Sequence, residues 1–269
     1  MSFLLPALWL SACNGEDELR CQEGSTRCHE VESGRYLALE PEGWDGVSEL
    51  PSLVYFHGHG GSAGGTAASA DWLVDGVSAW GGLLILPDGY HNSWSHMGSP
   101  EQYRDEEVFV DQVMADAAAR WPLSDTRYVS GFSSGGSMAW DVACLRGDDF
   151  TAFLPMSGSF WEPLPTECPT GPVSLRHTHG TADTIMPLEG RAIGDAHQGD
   201  VFEGMALWRS FDGCAEEPDA TVVEGLVTCQ LWTTCSSGAQ LALCLHDGKH
   251  APPDGWIDHA LPWADALPR

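Results

Sequence analysis

Residues 127–140 read RYVSGFSSGGSMAW, two adjacent serines set among glycines. Gly131, Ser133 and Gly135 fit G-x-S-x-G, the pattern of a nucleophilic serine held on a tight strand-to-helix turn. Ser134 would need glycine at position 132, where the chain has Phe132, so Ser133 is the candidate. The flanks suit such a turn. Residues 127–130 read as a short strand, and beyond Ser134 the apolar Met138, Val142 and Leu145 share one helical face. Small residues let the backbone bend sharply, and the helix N-terminus favours developing negative charge. A plain glycine loop is the competing reading, and partners elsewhere in the chain decide between the two.

Outward from this turn the pattern alternates. Residues 53–56, 83–86, 128–130, 152–155 and 173–177 are short apolar runs suited to buried parallel strands. Helical stretches lie between and after them at 66–80, 106–121, 134–145 and 200–211, with Val110, Val113, Met114 and Ala117 as a buried stripe in the second. Alternating units of this kind predict an α/β fold, a mostly parallel sheet with helices on both faces. In such a sheet function collects in loops at the carboxyl ends of strands. HGHGGSAGG, PDGYHNSW, the serine turn, HGTAD and HDGKHAPPDGW all occupy such loops.

A serine at its ordinary pKa is a weak nucleophile, so it needs a base, and the base needs an orienting acid. The order along the chain in this kind of fold is Ser, then Asp or Glu, then His. Asp183 follows the strand ending HTHG, and His250 follows the strand LALCLHD. His246 is the second choice for the base. Asp254 and Asp247 are rivals for the acid. His177 and His179 fit structural roles, and His259, in an expected terminal helix, is a further candidate. An oxyanion needs preorganised N–H donors. The backbone N–H of Ser134 supplies one, and the loop His57-Gly58-His59-Gly60-Gly61 supplies the other, through His59 first and Gly60 second. His57, His59, His91 and His96 lack the i, i+4 spacing of a helical metal motif and read as solvated loop histidines. No metal site is assigned.

The 269 residues suit one large domain rather than two small ones. A net charge of −27, with 39 acidic against 12 basic residues, sets nucleic acid and anionic lipid surfaces aside as partners. MSFLLPALWLSAC is an apolar run too short to span a bilayer, and it ends at Cys13 like a bacterial lipobox. This predicts a signal segment over 1–13, a polar spacer over 14–32 and a catalytic domain over 33–269. The chain is then exported, either secreted or anchored by a lipid on Cys13.

The eight remaining cysteines suit four disulfides in an oxidising compartment. Cys229 and Cys244 sit symmetrically about the turn Cys235-Ser236-Ser237-Gly238 and face each other across a hairpin. Cys21 and Cys28 close a small hoop, which leaves Cys214 with Cys235 and Cys144 with Cys168. No C-x-x-C pair supports a zinc alternative.

YFHGHGGSAGG, LLILPDGYHNSW, RYVSGFSSGGSMAWDVAC, HGTADTIMP and GKHAPPDGW resemble, in order over roughly residues 33–256, blocks of secreted esterases related to polyhydroxybutyrate depolymerases and to feruloyl and acetylxylan esterases. The resemblance implies a lidless α/β-hydrolase fold, with Ser133, Asp183 and His250 as a catalytic triad and no cofactor. His59 stands where many of these esterases carry cysteine, and Lys249-His250-Ala251-Pro252 replaces a more glycine-rich block. The expected activity is a monomeric serine carboxylesterase acting on short-chain or aryl esters, with feruloyl or acetyl esters of plant polysaccharide as the first expectation. A polyester hydrolase, a serine peptidase and an inactive hydrolase-fold binding domain are the alternatives. Of the 12 tryptophans, Trp94, Trp161 and Trp256 fall in strand-end loops and are expected to rim the cleft.

Overall fold

A computed structural model describes residues 20–22 and 24–268. The 1–13 leader with Cys13, and residues 14–19 of the spacer, lie outside the described residues. In chain order, β1 (Cys28–Val31), β2 (Gly34–Leu39) and β3 (Leu50–Phe56) lead to α1 (Ala63–Ser69) and α2 (Asp71–Trp80). Then come β4 (Leu83–Pro87), α3 (Glu106–Arg120), β5 (Leu123–Phe132), α4 (Ser134–Arg146), β6 (Ala152–Met156) and β7 (Leu175–Gly180). A small antiparallel pair follows, β8 (Arg191–Ile193) with β9 (Ala196–Gln198). The described chain closes with α5 (Val201–Asp212), β10 (Ala220–Glu224), β11 (Val227–Trp232), β12 (Leu241–His246) and α6 (Ile257–Asp265).

Ten of these strands form one sheet in the order β1-β2-β4-β3-β5-β6-β7-β12-β11-β10. The six central strands from β4 to β12 run parallel, and the two at each edge are antiparallel. β4, β6 and β7 are buried along their whole length, as strands covered on both faces must be. One face packs α3, α4 and α5 through Val110, Val113, Met138, Met205 and Trp208. The other packs α1, α2 and α6 through Ala63, Leu73, Val77, Ile257 and Leu261.

Three features depart from the sequence reading. The single helix expected over 66–80 is two, broken at Ala70 (φ −109°, ψ 58°). Ser62 caps α1 early by accepting from the Gly65 N–H, and α1 buries only Ala63, so no apolar stripe joins it to α2. β1 lies inside the stretch read as spacer, so the sheet begins before residue 33. β10 also goes unannounced, because an edge strand that is mostly exposed carries no continuous apolar run.

The register places Cys229 opposite Cys244 in the β11–β12 pair. Disulfides join Cys21–Cys28, Cys144–Cys168, Cys214–Cys235 and Cys229–Cys244.

The order β4-β3-β5 positions the site. The chain leaves β3 toward β4 on one side, then crosses back to β5 on the other. Loops diverge at this switch and open a crevice at the carboxyl ends of the strands. The HGHGG loop follows β3, and the serine turn follows β5.

Candidate active site

Ser133 sits between β5 and α4 with φ 60° and ψ −122°, a positive φ that non-glycine residues rarely adopt. Its N–H donates to the Met156 carbonyl at 3.0 Å, tying the turn to β6. The glycines around it are required by proximity. A Cβ on Gly135 would stand 1.9 Å from the Phe56 carbonyl oxygen, and one on Gly131 would stand 2.1 Å from the Gly135 oxygen. Backbone thus packs on backbone, and the first turn of α4 presses against the end of β3.

The other two candidates converge on this serine. His250, in the loop after β12, places Nε2 2.9 Å from Ser133 Oγ. Its Nδ1 lies 2.6 Å from Asp183 Oδ2, in the turn after β7. The N–H groups of Ile185 and Met186 both donate to Asp183 Oδ1 at 2.8 Å. Burial alone would raise the Asp183 pKa. Hydrogen bonds from His179, the Met186 N–H, His250 and the Ile185 N–H outweigh it and hold the carboxyl well below the usual range. An ionised Asp183 accepts the Nδ1 proton of His250, which leaves Nε2 free to accept from Ser133.

His246, His177 and His179 make other contacts. His246 Nδ1 accepts from the Gly248 N–H at 3.1 Å, and burial lowers its pKa. Trp140 Nε1–H donates to His177 Nδ1 at 3.2 Å. The His177 proton therefore sits on Nε2 and faces His179 Nδ1 at 2.9 Å. That leaves a proton on His179 Nε2, which donates to the Met186 carbonyl at 2.7 Å and lies 3.4 Å from Asp183 Oδ2. Burial, reinforced by His179, pushes the His177 pKa well down. The pair braces the Asp183 turn from inside the core.

On the oxyanion side, Gly58 approaches the Ser133 Cβ closely: a Cβ built on that glycine would stand 3.4 Å from it. The Gly60 N–H is taken by the Asn92 carbonyl at 2.8 Å, while among the described residues nothing accepts from the His59 N–H. The geometry favours His59 over Gly60. His57 locks this loop: its Nδ1 donates to the Gly58 carbonyl at 2.8 Å, and its Nε2 accepts from the Gly89 N–H at 3.0 Å. Burial keeps it neutral by lowering its pKa. His57 and His96 are each 3% exposed, so two of the four histidines read as solvated are buried, while His59 and His91 are exposed.

No protein-family model matches the chain. It is 23% identical over 202 residues to the probable feruloyl esterase C of Aspergillus niger, covering 70% of each chain. It is 24% identical over 169 residues to feruloyl esterase C of Emericella nidulans, covering 60% of this chain and 59% of that one. The chain thus spans between about three-fifths and seven-tenths of the length of these relatives. Among solved structures, the acetyl xylan esterase of Aspergillus awamori superposes with a TM-score of 0.60 at 13% identity, over 86% of this chain and 93% of that one. The chain has the α/β-hydrolase fold.

The candidate serine opens on a cleft of about 570 Å³, within the size range of small-molecule sites. Ser133, Ser134, His250 and His59 line it, together with Trp94 and Trp161. Both tryptophans show little surface, 0% and 8% exposed, and Trp94 donates Nε1–H to the His57 carbonyl at 2.8 Å. Trp256 is not at the cleft. It is buried among residues of α2 and α6, edge-on to Trp72 and donating Nε1–H to Thr178 Oγ1 at 3.2 Å. A loop position in the sequence said nothing about which side of the loop the ring would take. Sequence reasoning also missed Asp141 on α4, which binds His96 beneath the cleft. Only their common proximity to Ser134 marks them, and that arises on folding.

Proposed function

We propose that this chain is a serine carboxylesterase that works through an acyl-enzyme. The observation that carries the reading is the chain of contacts from Ser133 Oγ to His250 Nε2 at 2.9 Å, and from His250 Nδ1 to Asp183 Oδ2 at 2.6 Å, on a strained turn at the sheet's switch point. His250 takes the Ser133 proton as Oγ attacks the ester carbonyl, and Asp183 steadies the resulting imidazolium. The N–H groups of Ser134 and His59 receive the oxyanion. Collapse expels the alcohol with the proton from His250. Water, activated by the same imidazole, then releases the acid and restores Ser133.

For substrate, we propose acetyl or feruloyl esters carried on plant polysaccharide. Relatives named feruloyl esterase and a structural neighbour named acetyl xylan esterase support this class. The cleft supports it too: polar His59, His96, Glu101, Arg191 and Gln198 share its wall with the aromatic rings. Four disulfides fit an exported protein in an oxidising compartment.

The test is stoichiometric labelling. A fluorophosphonate probe should place one adduct on Ser133 and abolish ester hydrolysis. Hydrolysis of methyl ferulate and of an acetylated xylo-oligomer should exceed that of a long-chain nitrophenyl ester in kcat/KM. An adduct elsewhere would refute the assigned nucleophile, and a long-chain preference would refute the substrate class.

A further inference from the structure

A second carboxylate–imidazole–hydroxyl chain stands beside the first. Asp141 and Ser134 lie seven residues apart on α4, two turns along one face, and His96 from the loop after β4 bridges them. His96 Nδ1 is 3.0 Å from Asp141 Oδ2, and His96 Nε2 is 2.9 Å from Ser134 Oγ. His96 and Asp141 are each 3% exposed. Ser134 and His96 both line the cleft, and the ring of Trp161 lies nearly parallel to His96, 17° off, with centroids 6.2 Å apart.

The backbone separates the roles of the two serines. Ser133 is strained at φ 60° and is followed directly by a helix N-terminus. Ser134 is already the first residue of α4, with no positive φ, and it is Ser133 that Gly58 of the loop after β3 approaches. Ser134 has a relay and no oxyanion hole of its own, which describes a recognition group rather than a nucleophile.

The tautomers then set what it recognises. Burial pushes the Asp141 pKa up and the hydrogen bond with His96 Nδ1 opposes that shift; an ionised Asp141 accepts the Nδ1 proton and leaves Nε2 as an acceptor. The Ser134 hydroxyl donates inward to that nitrogen, and only its lone pairs are left for a ligand. A group restricted to accepting selects a ligand that donates. Ser133 and Ser134 are adjacent, with Cα atoms about 3.8 Å apart, and both line the cleft, so a donor held at Ser134 belongs to a part of the ligand that adjoins the ester.

Accepting the esterase reading above, we infer that Ser134, His96 and Asp141 form a hydroxyl-recognising subsite for esters whose alcohol part carries a free hydroxyl on the carbon next to the esterified one, as in partly acylated polyols and sugars. The ligand hydroxyl donates to Ser134 Oγ.

Matched esters of one acid test this: a 2-hydroxyethyl ester against the ethyl and 2-methoxyethyl esters. The wild-type chain should favour the 2-hydroxyethyl ester in kcat/KM by about tenfold, the worth of one hydrogen bond. Ser134→Ala, which keeps the backbone N–H, should bring that ratio to within about threefold of unity. Ser134→Thr should retain the preference, and His96→Gln should reduce it. A wild-type ratio near one, or a ratio unmoved by Ser134→Ala, overturns the subsite while leaving the esterase reading in place. Ser133→Ala that still hydrolyses all three esters overturns the reading beneath it. A fluorophosphonate adduct on Ser134 in the Ser133→Ala protein would make the second relay a nucleophile and end the recognition role.

Discussion

Ser133 Oγ meets His250 Nε2 at 2.9 Å across 117 residues of chain, and it does so from a backbone at φ 60°. Neither side chain reaches the other by a soft adjustment. The serine is held by the carbonyl of Met156 and by the packing of Gly135 on Phe56, the histidine by its contact to Asp183. Ser133→Ala should therefore remove activity without removing structure. The expected fall in kcat is up to about 10⁶, and about 10⁴ for Asp183→Asn, with melting temperatures close to the parent. Combining Ser133→Ala with His250→Ala should add little further loss, because the groups act as a unit. Multiplicative losses would count against the shared role.

The turn itself is testable through Gly135. A methyl group there meets the Phe56 carbonyl at 1.9 Å and the His57 carbonyl at 2.6 Å, both backbone atoms that no rotamer change can move. Gly135→Ala should destabilise by more than the roughly 1–3 kcal/mol of ordinary overpacking and abolish activity together with it. Gly64→Ala, in α1 with open space at its Cβ, is the control and should be close to neutral. Urea unfolding of both variants reads the difference.

These two predictions rest on the part of the molecule that was most legible in the sequence. The serine turn is local: glycine spacing, a strand before it and a helix after it occupy fourteen consecutive residues, so short-range physics writes it openly. Asp183 and His250 were legible through chain order and strand ends. His96 and Asp141 were not, since they lie 45 residues apart and no periodicity joins a loop histidine to a helix carboxylate. Trp256 failed for the same reason in reverse. It follows a strand, but the apolar side of α2 captured it.

Cys229–Cys244 closes a loop with a sequence separation of 15 between adjacent strands β11 and β12. Loop-closure entropy for that length predicts about 3 kcal/mol of stabilisation. Replacing both cysteines with alanine should lower unfolding free energy by about that amount, measured by urea denaturation under oxidising conditions. No change would mean that the hairpin persists in the unfolded chain and that the bridge constrains nothing further.

Asp212 sets a pH dependence that opposes the usual acid sensitivity. Burial pushes its pKa up to about 7, which the single hydrogen bond from the Val173 N–H does not offset, and Oδ2 has no partner among the described residues. In the unfolded chain the same carboxyl titrates near 3.9. Between about pH 4 and 7 the folded protein keeps a proton that the unfolded chain releases, so this group's contribution to stability falls as pH rises. Asp212→Asn removes the titration and can keep the acceptor for Val173. Its stability relative to the parent should improve from pH 4 to pH 8 by on the order of 1–3 kcal/mol, a gain limited by the size of the shift. A constant offset across that range would show that Asp212 is ionised in the folded state.

Trp161 and Trp256 separate recognition from packing. Trp161 lines the cleft beside His96, so Trp161→Ala removes an aromatic wall that a sugar or phenolic ring would face. Aromatic contacts of that kind are worth about 0.5–1.5 kcal/mol, which predicts a rise of about three- to tenfold in KM for an aryl ester. Trp256 is itself buried and touches Trp72 and the buried Thr178 instead. Trp256→Phe keeps a ring and loses the indole donor, so it should cost about 1 kcal/mol of stability and leave KM for the same ester unchanged. Steady-state kinetics on methyl ferulate and on methyl acetate sharpen the test. The Trp161 effect should appear for the aryl ester and shrink for the acetate, which has no ring to lose. Equal effects on both esters would mean that Trp161 acts by holding His96 in place, and the aromatic wall would then have to be sought among other residues of the cleft.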